Sequence, residues 1–472
     1  MSREVRLVLA AAAVVAALAL AAVLLWRNPP QEAEVGITFR AGALSDLARV
    51  TVENAQGVFE IVRSGEGFVA GDMAAELVDV QELGALLNGC AQVQAERLVE
   101  AEPRDLALYG LAAPAARVEI DYTDQSKLAL RLGAQEPVSG GCFAQVGDGP
   151  AVYLLAAERC AGYLQPPKAY IEDLVTPELA LSSPLSALLN VTFEGGRLAQ
   201  PVTVEAVATG DPAVTRAALS FGVPTHIVRG RGVYELDQTY GVEMLGSLLG
   251  ITATDVVGYG LSQQEIDAFG FARPTMRVGF DLKNGLAAEV AHYELAVLVK
   301  GEACYLTCND NGVIYLVPAP RFLQLEYDRL PVRWFLSPLL IDVRAVEVRT
   351  PDQHLECVIT GKTNAEKQAT CNGQPLDIER FRVLYGLLTS AAHDGRLLPN
   401  AAPSGAPLLQ VTYRYLDEGK APDTMTLYRG DARRVYVDVN GVTELAMREM
   451  YAVRVQEALG RLWSEEPIET DW

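Results

Sequence analysis

The chain has 472 residues and a formal net charge of −21, from 60 Asp and Glu against 39 Lys and Arg. Half of its residues are hydrophobic, which provides enough apolar surface for a packed core and argues against disorder. A nucleic-acid-binding protein needs a basic face that neutralises phosphates, and the sequence contains no cluster of Lys and Arg. Nucleic acid is therefore excluded as an expected partner.

The N-terminal segment is an uninterrupted apolar run, Leu7–Trp26. A helix of about 20 residues spans the hydrocarbon layer of a membrane. Two arginines precede the run and one follows it, and this asymmetry predicts a cytoplasmic N-terminus. A cleaved signal peptide is the alternative, but the run is long for one and no small-residue cleavage site follows it. We expect a transmembrane anchor within 1–27, a linker at 28–44, and a single-pass protein of the cell membrane whose C-terminal bulk is extracytoplasmic.

Three stretches of the remaining chain repeat the same landmarks in the same order, which indicates three diverged copies of one module. Each copy begins with short alternating strands, continues with a helix that contains a Leu-x-x-Leu-Leu core, and ends with a hairpin. The helix cores lie at 83–87, 245–249 and 384–388. The hairpin turns are expected at Asp148-Gly149, Asn311-Gly312 and Asn440-Gly441, because these dipeptides tolerate positive φ.

The sequence thus predicts an α+β fold. An N-terminal transmembrane helix is followed by three tandem modules, each with two small antiparallel sheets and two helices. The modules are expected at 45–180, 186–335 and 342–465, with proline-containing seams near residues 184 and 338. Positions that the copies share, such as Leu86, Leu248 and Leu387, are expected to be buried.

A known family shares part of this pattern. Tyr109-Gly-Leu-Ala-Ala-Pro114 is followed by Leu130-Arg-Leu-Gly133, Gly140-Gly-Cys-Phe143 and Val152-Tyr-Leu-Leu155. In this order the stretches resemble the bacterial domain-of-unknown-function 4340 family, most closely in the first module and least in the third. The resemblance implies one N-terminal membrane helix and a link, in some members, to ABC transporter components of the gliding-motility auxiliary type. It implies an accessory or envelope role, and it carries over no catalytic residue.

No residue pattern points to catalysis, a cofactor or a metal. Gly361-Lys-Thr363 lacks the leading glycine of a phosphate-binding loop and is interpreted as a turn. His292, Cys304 and Cys308 match no known zinc spacing. We therefore expect a protein that is not an enzyme, with no cofactor, although an unrecognised hydrolase stays open as an alternative.

The cysteines and the arginines provide the candidate sites. An extracytoplasmic location permits disulfides, and Cys357 and Cys371 are expected on neighbouring strands of the third module, which makes them the best local pair. Arg and aromatic residues dominate interface hot spots, and the second module is rich in both. The candidate partner contacts are Arg229, Arg231, Arg321, Arg333 and Trp334. For Trp334 the alternative is packing in the seam between the second and third modules.

These observations lead to two hypotheses for function. The first is a non-enzymatic, single-pass membrane-anchored extracytoplasmic repeat protein, an accessory or scaffold subunit that works with an ABC-type transporter or envelope complex through a membrane-protein partner. The second is a cell-envelope module that binds a glycan or a peptide, because 18 Tyr and four Trp provide faces on which sugars stack.

Overall fold

The computed structural model describes residues 36–65, 67–71, 73–178, 185–207, 225–230, 232–283, 289–395 and 402–472. The apolar run Leu7–Trp26 lies outside these residues. No helix among those described is long and apolar enough to cross a membrane. The chain divides into two compact units, Met1–Glu172 and Asp173–Trp472.

The first unit contains one eight-stranded antiparallel sheet, a two-stranded sheet and two helices. Its strands are β1 (Ile37–Thr38), β2 (Leu47–Asn54), β3 (Gly57–Ser64), β4 (Gly67–Ala70), β5 (Gln94–Ala95), β6 (Arg97–Glu100), β7 (Ala116–Tyr122), β8 (Lys127–Gln135), β9 (Cys142–Val146) and β10 (Val152–Leu155). The large sheet has the order β4-β3-β2-β7-β8-β9-β10-β6, and β1 pairs with β5. The helices α1 (Val80–Ala91) and α2 (Ala157–Leu164) pack on each other and on β2.

The second unit contains a nine-stranded and an eight-stranded sheet. The strands of the nine-stranded sheet are β11 (Leu188–Gly195), β12 (Val202–Ala206), β13 (His226–Arg229), β14 (Val233–Glu235), β15 (Asp255–Gly258), β16 (Met276–Lys283), β17 (Val290–Lys300), β18 (Ala303–Cys308) and β19 (Ile314–Val317). Their order is β14-β13-β12-β11-β16-β17-β18-β19-β15. The eight-stranded sheet is formed by β20 (Val343–Arg349), β21 (His354–Thr360), β22 (Gln368–Cys371), β23 (Gln374–Leu376), β24 (Leu409–Tyr415), β25 (Asp423–Arg429), β26 (Arg434–Val439) and β27 (Val442–Arg448). Its order is β23-β22-β21-β20-β24-β25-β26-β27.

The described residues of the second unit form four α-helices. They are α3 (Tyr240–Gly246), α4 (Gln263–Ile266), α5 (Ile378–Thr389) and α6 (Met450–Gly460). Short 3-10 helices occur at Leu44–Asp46, Ala75–Leu77, Leu106–Tyr109, Pro167–Tyr170, Leu185–Ala187, Arg321–Gln324, Tyr327–Arg329, Leu340–Asp342 and Asn364–Glu366, and a π-helical turn at Asp267–Phe271 extends α4.

The predicted α+β fold class is wrong, because the described residues form mostly β-sheet. Strands hold 41% and helices 22% of the described residues, and each predicted pair of small sheets is one continuous antiparallel sheet. The two meanders of a sheet join through their first strands, β2 with β7, β11 with β16, and β20 with β24. An unjoined first strand would present a row of unpaired N–H and C=O groups, and the pairing satisfies both rows at once. The transmembrane helix of the same prediction is not seen in the part of the chain that the structure describes.

Each large sheet has one apolar face and one polar face. Every second residue of β7 is buried, as expected for a strand covered on one side. The shared helix positions Leu86, Leu248 and Leu387 are 5%, 0% and 0% exposed, so they lie in the cores as the repeat pattern predicted. The opposite faces carry ion pairs, such as Arg49 with Glu60 in the first unit.

The hairpin turns follow the sequence expectation only in part. Asn440 and Gly441 both have positive φ, +52° and +88°, as a two-residue turn requires. Gly312 also has a positive φ of +74°, but Asn311 does not, and the two consecutive positive values, +51° and +50°, fall on Asn309 and Asp310. In the first unit the positive φ falls on Gly147, at +69°, and not on Gly149. That turn therefore has a different geometry from the one the dipeptide predicts.

Candidate partner-binding groove

The arginine-glycine loop of the second module docks on the neighbouring sheet of its own unit. Arg229 ends β13, and its Nε lies 2.5 Å from Oε2 of Glu205, so its charge is neutralised within its own sheet. Arg231 lies outside the described residues. The N–H of Gly232 donates to Oε2 of Glu444 on β27 at 3.0 Å. The loop is therefore part of a seam, and its two glycines are held against β27.

A buried carboxylate closes this seam. Glu444 is 1% exposed, and its Oε1 accepts a hydrogen bond of 2.6 Å from the Tyr327 hydroxyl. Burial, together with the charge of Glu444, raises the pKa of Tyr234. A Cβ on Gly230 would lie 1.7 Å from Oη of Tyr327 and 2.8 Å from Oε1 of Glu444. Only glycine fits there, because the tyrosine and the carboxylate occupy the space of a side chain.

Of the remaining candidate residues, Arg321 belongs to an ion pair, whereas Arg333 and Trp334 line a groove. Arg321 forms an ion pair with Glu243 of α3. Arg333 and Trp334 lie together at the seam, where Trp334 forms an isolated β-bridge with Ala392. The Arg333 carbonyl accepts a hydrogen bond of 2.9 Å from the N–H of His393. Trp334 nevertheless remains 40% exposed, so its backbone belongs to the seam while much of its indole faces outward.

A groove of 870 Å³ opens beside Trp334. Its floor includes Gly386 of α5, above which a Cβ would meet no atom within 4 Å. Val383 of α5, 41% exposed, lies on one side, and Trp472 provides a second indole. The groove is thus lined by two large aromatic side chains together with aliphatic residues such as Val383.

The wall that carries Trp472 is fixed by hydrogen bonds. The indole Nε1 of Trp472 donates to Oγ of Ser390 at 3.0 Å, and the ring packs edge-on against Tyr451 with centroids 5.2 Å apart. Arg454 on α6 donates from Nε to the Asp471 carbonyl at 2.8 Å. These contacts hold the segment after α6 against the helices, so the groove exists before any partner arrives.

The groove is lined by two arginines, Arg333 and Arg448, and by two aspartates, Asp394 and Asp471. Neither Arg333 nor Arg448 forms an ion pair within the part of the chain that the structure describes, and both line the groove. Arg434 pairs with Asp394, and burial lowers the pKa of the Arg434 guanidinium. An acidic group of a ligand would gain most binding free energy beside the guanidiniums of Arg333 and Arg448, which have no carboxylate partner among the described residues.

A smaller cavity of 430 Å³ shares Arg333, Arg448 and Asp394 with the groove. His393 lines it and is 4% exposed, with Nδ1 accepting a 3.1 Å hydrogen bond from the N–H of Gly395. Burial lowers the pKa of His393, so its imidazole is neutral near pH 7. Among the described residues no group of three or more His, Cys, Asp or Glu is arranged to hold a metal ion. The arrangement suits recognition of a polar or acidic group.

The cysteine pair that the sequence pointed to lies on adjacent strands of the third sheet. Cys357 on β21 is directly opposite Cys371 on β22, and a disulfide joins them with Cα atoms 4.0 Å apart. Both residues belong to the core on the covered face of the sheet. The disulfide therefore fixes the register of two outer strands from inside.

One protein-family model matches a segment that begins within the first unit. Residues 70–180 match the family described as "Domain of unknown function (DUF4340)". This segment of the chain belongs to that family. The DUF4340 match includes the Tyr109–Pro114 stretch and both helices of the first unit, whereas the groove lies outside it. No curated protein and no solved structure matches the chain significantly.

Sequence reasoning missed three residues that build the seam and the groove. They are Glu444, Arg448 and Trp472. Glu444 adjoins the apolar run Leu445–Met447 on an edge strand, and all four residues are buried because both faces of β27 are covered. An acidic residue at the start of such a run was the only signal in the sequence, and it resembles an ordinary solvent-facing position.

Proposed function

We propose that this DUF4340 protein is a non-enzymatic, extracytoplasmic repeat protein that serves as an accessory or scaffold subunit of an ABC-type transporter or envelope complex. The observation that carries the proposal is the groove beside Trp334, where two indoles and two arginines border one depression. Trp and Arg are the residue types in which interface binding energy concentrates. The occupant in this proposal is an extended segment of a membrane-protein partner, with an apolar anchor next to a carboxylate.

Charge and shape support that occupant. The chain as a whole is strongly acidic, which disfavours an acidic partner at long range, but screening limits this repulsion to about 10 Å at 0.1 M salt. At the groove itself, Arg333 and Arg448 offer positive charge to a carboxylate of the partner, beside the lining aspartates Asp394 and Asp471. Val383 and the two indoles provide apolar contacts for an anchor, and the preformed wall lowers the cost of ordering on binding.

The location outside the cytoplasm is part of the proposal. The disulfide between Cys357 and Cys371 supports it, because disulfides persist in oxidising compartments and are rare in the cytosol. Attachment to the membrane through Leu7–Trp26 depends on the sequence alone and stays a prediction.

A photo-cross-linking amino acid at Val383 in the full-length chain tests the groove directly. We expect cross-links to one membrane-protein subunit from Val383 and none from the matched position Val358, which is 47% exposed on β21. Trp334→Ala and Arg333→Glu should each lower the cross-link yield at least about tenfold, since loss of a hot-spot residue costs about 2 kcal/mol.

Two control variants separate contact from general surface effects. Trp463→Ala removes an indole that is 50% exposed and does not line the groove, and Arg344→Glu reverses an exposed charge on β20. Both should retain the cross-link. Equal losses in the control and groove variants, or no cross-link from Val383 in a folded chain, would refute the groove as the contact surface.

A second candidate function rests on the same pair of indoles. Trp334 and Trp472 line one groove, and aromatic faces are suited to stacking on sugar rings or peptide side chains of the cell envelope. Sedimentation of the purified chain with isolated cell wall tests this. Retention in the pellet that Trp334→Ala abolishes would favour the envelope ligand over the membrane partner.

A further inference from the structure

A second pair of cysteines lies in the core of the first unit. Cys142 begins β9 and is directly opposite Leu155 of β10. The chain turns at once into α2, and the thiol of Cys160 donates to the Leu155 carbonyl at 3.7 Å. Both cysteines therefore lie next to Leu155. Cys142 is 1% exposed and Cys160 is 2% exposed.

The two thiols also influence each other's pKa. A hydrogen bond with the thiol of Cys160 lowers the pKa of Cys142, and the same contact is the main reason that the pKa of Cys160 is raised. The other free cysteines lack this arrangement. Burial alone raises the pKa of Cys304 to about 11, and Cys90 has the Tyr163 hydroxyl at 3.7 Å as its partner.

The repeat provides an internal comparison. Cys304 occupies the ladder position of Cys142 in the nine-stranded sheet, opposite Val317. Five residues after Val317, where the first unit has Cys160, the second unit has the buried Phe322. A single cysteine at this sheet position is thus ordinary core packing, whereas the first unit adds a second thiol at the one helix position that reaches it.

We propose that Cys142 and Cys160 form a second intramolecular disulfide, which ties α2 to the sheet of the first unit. The step is an exchange with a protein disulfide of an extracytoplasmic thiol oxidase. The Cys142 thiolate attacks one sulfur of that disulfide and releases the other as a thiol. The Cys160 thiolate then displaces the oxidase cysteine, so two protons leave the chain and two electrons reduce the oxidase to its dithiol form. Because both thiols are buried in the folded unit, the exchange precedes the docking of α2.

The test uses the full-length chain, trapped in denaturant with a thiol-alkylating reagent and digested without a reductant. We expect a linked peptide pair that contains Cys142 and Cys160, beside the pair from Cys357 and Cys371, with Cys304 alkylated. Cys160→Ala should leave Cys142 fully alkylated, whereas Cys304→Ala should change neither linkage.

The outcomes separate this proposal from the compartment. Alkylated Cys142 and Cys160 in chains whose Cys357–Cys371 bond is intact would overturn it. If every cysteine is reduced in cells, the compartment is wrong, and the purified chain refolded in a glutathione buffer decides the pairing. Linkage of Cys142 to Cys160 in that buffer, with Cys304 still reactive, supports the proposal. Failure to link them there overturns it.

Discussion

Replacing Glu444 by alanine tests the buried seam of the second unit. The Tyr327 hydroxyl and the Gly232 N–H, at 2.6 Å and 3.0 Å, would lose their acceptor. A buried donor without an acceptor costs about 1–3 kcal/mol, which suggests roughly 2–6 kcal/mol for the two. Removal of the carboxylate also removes its own desolvation cost, so the lower end applies. We expect Glu444→Ala to lower the free energy of unfolding by about 2 kcal/mol.

Urea unfolding followed by tryptophan fluorescence measures this change, because three of the four tryptophans lie in the second unit. Glu418→Ala is the matched control, since Glu418 is exposed in the same eight-stranded sheet region and should alter stability by less than about 0.5 kcal/mol. A loss below about 0.5 kcal/mol for Glu444→Ala would refute the seam as a source of stability.

Gly230→Ala is a second test of the same seam, because it adds a side-chain atom where Glu444→Ala removes atoms. The backbone of Gly230 does not have a positive φ, so the cost comes from the Cβ alone, which would overlap Oη of Tyr327. We expect a loss of about 1–3 kcal/mol, as for other overpacked sites. Gly279→Ala is the control, because a Cβ there meets nothing within 4 Å. Equal melting temperatures for the two variants would contradict the tight packing at Gly230.

Three further predictions concern turns, titration and topology. Gly441→Val should destabilise its hairpin by about 1 kcal/mol or more because of its positive φ, whereas Gly149→Val should have little effect; equal thermal shifts would contradict this. In NMR titrations His292 should have a pKa above 6.5, raised by hydrogen bonds to Asp281 and Glu294, and His393 one below it. The contribution of His292 to the free energy of unfolding is then complete below pH 6.5 and is lost as pH rises through its folded-state pKa. The contribution of His393 is present above pH 6.5 and is lost as pH falls. The opposite order of the two pKa values would refute both assignments. A periplasmic-type reporter fused after Trp472 should be active outside the cytoplasm, and activity only inside the cell would overturn the proposed location.

The sequence was informative wherever the signal is local. The Leu-x-x-Leu-Leu cores predicted buried helix faces, and Leu86, Leu248 and Leu387 are buried. A helix exposes one stripe to the core every three to four residues, so its pattern is visible in a short window. The helix around residue 245 is shorter than the pattern suggests, since α3 ends at Gly246 and Leu248 is buried in the turn that follows.

The sequence by itself determined the repeated landmarks, the helix stripes and the cysteine pair at 357 and 371, because each depends on residues near one another along the chain. Tertiary structure alone decided that β2 pairs with β7, which merges two predicted sheets into one. It also decided that Glu444 is buried and that Trp334 and Trp472 line the same groove. The register of strands separated by 60 or more residues leaves no periodic trace in either strand. Burial on the second face of a strand likewise depends on a neighbour that the strand's own pattern does not encode.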